Sequence, residues 1–190
     1  MRLPLVLAAA LVLGFAGPAR PTTIVAPTFQ ELVSRAEQVV VAQVVARRST
    51  WALSRSGRSI VTDVTFLIER TIKGPAYAER SLEFLGGTVG DDALHVDGIP
   101  QFQVGDRDVL FIADSGRPAS PVVGFTYGRF RIVRDPRTGL ETIRTHDGRP
   151  LASLAEVGNG RPPAFAAPRA LSLDEFVRAI DAAVRGLRQP

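Results

Sequence analysis

The sequence predicts a mainly β protein: a small antiparallel barrel with a short helix before it and an amphipathic helix after it. Three observations lead there. Valine-rich runs from Val39 to about Arg48 and from Val109 to Ile112 are apolar on both faces and too short for helices. Alternating apolar and polar segments lie between them, separated by Gly-Asp, Asp-Pro and Asp-Gly turn signals. Two capping boxes, Thr28 with Glu31 and Ser172 with Glu175, bracket the β region.

The chain opens "MRLPLVLAAALVLGFAGPAR", with a charge at Arg2, an apolar run from Leu3 to Phe15, and small residues at Ala16 and Ala19. That is the layout of a secretory signal peptide over 1–19, cleaved after Ala16 or Ala19. The run falls short of the roughly 20 residues that cross a bilayer. The expectation is an exported chain, periplasmic or extracellular, without a membrane span after cleavage.

The remainder reads as one domain. "TFQELVSRAEQ" begins a helix with Phe29, Leu32, Val33 and Ala36 on one face. The Val39 strand follows, then a turn near Ser56 and Gly57. Next comes a long strand in which Ile60, Val64, Phe66 and Ile68 alternate with polar residues. Shorter strands are expected at Ser81 to Leu85, Ala93 to Val96 and Asp108 to Ala113. A last hairpin, "GFTYGRFRIVRD" and "LETIRTHDG", turns at Asp135, Pro136 and Gly139. The β domain with its leading helix thus covers 20–157. A proline-rich connector occupies 158–170, and a helix packed on the barrel covers 171–188, with acids early and arginines late.

Composition narrows the chemistry. There is no cysteine, which excludes disulfides, thiolate zinc sites, a cysteine nucleophile and lipidation at the cleavage site. About 170 residues can bury roughly 70% of their unfolded surface without such staples. Lys73 is the single lysine among 23 basic residues, and the net charge is +4, one less once Arg2 leaves with the leader. No polybasic run marks a nucleic-acid binder.

The stretch "LGGTVGDDALHVDGIPQFQVGD" gathers the residues most suggestive of catalysis. "GGTVG" lacks the Lys-Ser or Lys-Thr ending of a P-loop. Asp91, His95 and Asp97 would share one side of a strand, with Asp92 beside them, but His95 and His146 are the only histidines and lie far apart. Gly86, Gly87 and Gly90 suit positive φ or a bulge. No G-x-S-x-G elbow exists, and "DSG" at 114–116 and "THDGRP" at 145–150 read as turns. Neither a catalytic residue, a metal site nor a cofactor is expected. A hydrolase using His95 or His146 is the weakest alternative.

The connection "ARRSTWALSRSGR" is the candidate binding surface. It places Trp51 among Arg47, Arg48, Arg55 and Arg58 between two long strands. Tryptophan beside arginines stacks on sugars, bases or aromatic side chains and is enriched at binding hot spots. The competing reading has Trp51 plugging the barrel end.

The pattern "AEQVVVAQVV…DVTFLIERTIKG…FQVGDRDVLFIAD" resembles the netrin-like (NTR) module, the OB-type barrel of the tissue inhibitors of metalloproteinases. It resembles more closely a group of exported bacterial proteins of unassigned function. The likeness covers roughly 28–133. It implies an OB-like barrel that binds a protein partner, such as an exported protease. The inhibitors' amino-terminal cysteine has no counterpart here, so their zinc-binding mechanism does not carry over. An anionic envelope polysaccharide or nucleic acid held by the arginine-rich face is the second expectation.

Overall fold

The computed structural model describes residues 25–54, 57–114, 119–158 and 169–187. The leader at 1–19, Arg55 and most of the proline-rich connector lie outside the described residues.

Helix α1 (Phe29–Arg35) starts at its capping box: Thr28 Oγ1 accepts from the Glu31 N–H, and the Glu31 carboxylate accepts from the Thr28 N–H at 2.8 Å. The helix buries Phe29, Leu32 and Val33. Its other end is closed from far along the chain. The Lys73 ammonium donates to the carbonyls of Val33 at 2.7 Å and Ala36 at 2.5 Å, with that of Ser34 at 3.4 Å. The last carbonyls of a helix have no intrahelical donor, and here one side chain serves three of them.

Eight strands follow among the described residues: β1 (Gln38–Ser54), β2 (Gly57–Lys73), β3 (Glu79–Leu85), β4 (Gly87–Val89), β5 (Asp92–Leu94), β6 (Arg107–Ile112), β7 (Arg129–Arg134) and β8 (Glu141–Arg144). Six of them form one antiparallel sheet in the order β3-β2-β1-β6-β7-β8, and β4 with β5 makes a separate hairpin. The chain is mainly β with a helix at each end, as its sequence predicts.

Closure is where the structure departs from a complete barrel: β3 and β8 stay at the two edges and do not pair. Irregular chain covers part of each edge instead. The Leu85 N–H donates to the Ala119 carbonyl at 3.1 Å, and Arg80 meets Asp114 at 3.2 Å, which ties β3 to the chain after β6. On the other side the Ile143 N–H donates to the Leu171 carbonyl at 2.9 Å. Edges hidden in this way do not need each other.

Both faces of the central strands are buried. Val39, Val41, Val109 and Phe111 face the helices, where Phe130 packs 4.9 Å from Phe176. Val40, Ala42, Val44, Leu110 and Ile112 face the opposite way and are roofed by Ile99 and Phe102. The Phe102 ring lies 5.1 Å from Phe66 and 5.0 Å from Phe84. Burying such a side chain contributes about 2–3 kcal/mol. "VDGIPQFQVGD" therefore supplies a lid for the second core.

The glycines just before it turn the chain. Gly86, Gly87 and Gly90 all have positive φ, at 103°, 136° and 61°. The Ser49 hydroxyl donates to Thr62 Oγ1 at 2.9 Å, and Thr62 donates to the Gly86 carbonyl at 2.6 Å. A Cβ at Gly87 would overlap both hydroxyls.

Helix α2 (Leu173–Gly186) has its capping box at Ser172 and Glu175, and Arg169 grips Glu175 at 2.6 and 2.8 Å. Its buried residues Phe176, Val177, Ile180 and Val184 pack on the chain's own sheet. Among the described residues no helix is long and apolar enough to cross a membrane.

Candidate functional site

β1 pairs with β6 only over Gln38–Gln43, and β2 pairs with β3 only over Val61–Leu67. Beyond those limits Trp51–Ser54 and Gly57–Ile60 continue as a two-stranded arm. The region from Ala46 to Arg58, expected as a connection, is therefore strand over Ala46–Ser54 and again from Gly57. Cross-strand pairs such as Ser49 with Thr62 and Trp51 with Ile60 extend the register through its polar residues.

Trp51 is 38% exposed, whereas its partner Ile60 is buried at 2%. The Arg58 guanidinium lies 4.0 Å from the indole centroid, a contact worth about 0.5–1 kcal/mol at an exposed site. Leu53, opposite Arg58, is 89% exposed. Arg47 shares this face, being opposite Val64, and donates to the Phe102 carbonyl at 3.0 Å. Arg48, opposite Asp63, belongs to the reverse face. The structure thus brings Trp51 and Arg58 into contact, places Arg47 on the same face farther along β1 with Ser49 between, turns Arg48 to the other face, and leaves Arg55 outside the described residues. The indole forms part of a rim and does not plug the core.

From Ala46 to Ser54 the second edge of β1 is paired with no strand among the described residues, although Gly87 of β4 packs on Ser49. Alternate N–H and C=O groups on such an edge are available to an added strand. β1 holds no acid, and its charge is the adjacent pair Arg47 and Arg48.

The Asp/His cluster does not assemble. His95 meets Asp97 at 3.4 Å with both side chains largely in solvent, and Asp91 and Asp92 are exposed. Among the described residues no three His, Cys, Asp or Glu side chains stand together to hold an ion.

His146 occupies a different setting, the turn after β8. Its ring meets Tyr127 edge to face at 5.3 Å and lines a cavity of about 40 Å³ with Thr145, Arg149 and Glu156. Burial pushes its imidazole pKa down; Asp147 opposes this, and Arg149 and Arg129 add to it. The Thr145 hydroxyl donates to the Asp147 carboxylate, so it is not poised on the histidine as a nucleophile.

One ionic cluster escapes sequence reasoning altogether. Arg129, 5% exposed, donates to Asp108 at 2.9 Å, to Asp106 at 2.8 Å and to the Gln101 carbonyl. Its guanidinium also lies 4.2 Å from the centre of the Phe102 ring. Asp108 is buried, and its Oδ2 has no hydrogen-bond partner among the described residues. Burial pushes its carboxyl pKa up against the pull of Arg129. The one sequence signal was polar Asp108 at the head of an apolar strand.

Compared with protein-family models, curated proteins and solved structures, the chain matches none of them.

Proposed function

We propose that the chain is an exported, non-enzymatic binding module whose β1–β2 arm engages a protein partner. An exported protease is the class that the netrin-like resemblance suggests. The observation carrying this reading is the arm's tip, where Trp51 lies exposed beneath Arg58, with Leu53 in solvent and an open strand edge alongside. Exposed aromatic and arginine side chains are the residue types that dominate interfaces. A partner segment adding to the open edge would satisfy its backbone groups while its side chains met the rim.

The test is photo-crosslinking from position Leu53 in cells that export the protein, repeated with Trp51→Ala and with Arg47→Ala/Arg58→Ala. The expected result is a discrete adduct that both variants lose. An adduct unchanged in both would remove this surface from the proposal. An anionic envelope polysaccharide or nucleic acid is the competing occupant, favoured by the absence of acids from β1. Its binding would collapse as salt is added, through counterion release.

A further inference from the structure

On the sheet face away from the helices, Arg131 of β7 stands directly opposite Arg144 of β8. Asp108 of β6 lies opposite Arg131 on its other side. Side chains of directly opposed residues leave the same face with Cβ atoms about 5 Å apart, and like charges in that relation destabilise a sheet. Two other arginines of the sheet are each given a pair of acids. Arg107 is held between Glu69 and Glu141, and Arg129 between Asp106 and Asp108.

Arg131 and Arg144 are treated differently. Arg131 has one long ion pair, to Asp106 Oδ1 at 3.7 Å, while the other oxygen of that carboxylate accepts from Arg129 at 2.8 Å. Arg144 meets no carboxylate among the described residues; one of its N–H groups donates to the Gly148 carbonyl at 3.0 Å. A guanidinium carries five N–H donors, so most of those on this pair are uncommitted. The face therefore sets Arg129, Arg131 and Arg144 against two carboxylates, of which Asp108 gives one oxygen to Arg129 and keeps the other buried.

We propose that Arg131 and Arg144 form a clamp for a phosphate group, free or as a terminal monoester. Two adjacent forks present more donors than a planar carboxylate can accept, whereas a tetrahedral dianion has enough oxygens to meet both. Bound there, the dianion converts the repulsion between the two strands into a bridge across them. The site is separate from the β1–β2 arm, and its occupation does not depend on the arm's partner.

The experiment is a titration of the whole protein with inorganic phosphate at fixed ionic strength, read by calorimetry and by thermal melting. Acetate serves as the planar-anion control. Parent protein is expected to bind phosphate and melt higher in it, while acetate does neither. Arg144→Gln should weaken phosphate affinity at least about tenfold, as should Arg131→Gln. In chloride, Arg144→Gln should melt no lower than the parent, because the like-charge pair has been relieved. Arg178→Gln, which removes a charge from the exposed side of α2, should leave the phosphate response intact.

A parent that answers phosphate no more than acetate would overturn the proposal, and so would an Arg144→Gln variant that binds as the parent does. Glycerol phosphate distinguishes the two sources. Tighter binding than inorganic phosphate assigns the group to a larger ligand, and equal or weaker binding assigns the free ion.

Discussion

Lys73 offers the sharpest energetic test. Replacing it with methionine keeps the aliphatic stem and removes the ammonium that closes α1. Two short charge-assisted bonds disappear, to Val33 at 2.7 Å and Ala36 at 2.5 Å, along with the longer contact to Ser34. Hydrogen bonds to charged groups contribute about 1.5–3 kcal/mol each, though two bonds from one ammonium do not add fully. A positive charge at a helix carboxyl end contributes about 0.3–1 kcal/mol more. The expected loss is about 3 kcal/mol. In urea, with a slope near 2 kcal/mol/M, the midpoint should fall by about 1.5 M. Circular dichroism at equilibrium is the assay. Lys73→Arg should fall between the two, because a planar fork cannot direct donors from one atom at three converging carbonyls as an ammonium does. A methionine variant within about 0.5 kcal/mol of the parent would refute the reasoning.

Four other outcomes follow from the same geometry. Arg129→Met leaves the carboxylates of Asp106 and Asp108 without their shared cation and should cost about 3–5 kcal/mol in chemical denaturation, with Arg129→Met/Asp108→Leu recovering part of it. Gly74→Ala sets a Cβ against the Glu37 carbonyl at φ 84° and should lose more than about 2 kcal/mol in a thermal melt, whereas Gly90→Ala, at φ 61° with open space around it, should lose about 1 kcal/mol. Burial lowers the His146 pKa, so its neutral form favours the fold; stability should decline as pH drops below about 6.5 toward that depressed value, and His146→Phe should flatten this part of the profile. Asp147 acts at lower pH. Burial raises its pKa, but hydrogen bonds from Thr145 and Arg149 bring it to about 2, so its contribution is present above about pH 4 and fades toward pH 2.

The helix starts were legible because a capping box is local: Thr28 with Glu31 and Ser172 with Glu175 each span one turn. The two-sided burial of Val39–Val44 and Val109–Ile112 was legible for the same reason, since an apolar run states its own environment. Glycine spacing announced the turn at 86–90. The length of β1 was not legible, because Arg47, Arg48, Ser49 and Thr50 look like loop until their partners on β2 are known. Lys73 lies at the end of β2, and nothing near it in sequence points to the carbonyls of α1, about 40 residues earlier. The Arg129 cluster was hidden likewise: its carboxylates lie more than 20 residues upstream, and the sequence records no distance between charges. The open edges depend on where irregular chain settles, which periodicity does not encode. At the candidate surface the sequence supplied Trp51 with its arginines, and the pleat then decided which of them share its face.

Trp51 is the chain's single tryptophan, and it lies on the arm, away from both cores. Its fluorescence therefore samples the tip alone, under a guanidinium that any ligand on the rim must share or displace. Emission and quenching report occupancy of the arm directly, and a substitution deep in the sheet that spares the arm leaves the native spectrum unchanged. The molecule carries its own optical gauge for the surface on which its activity is proposed to rest.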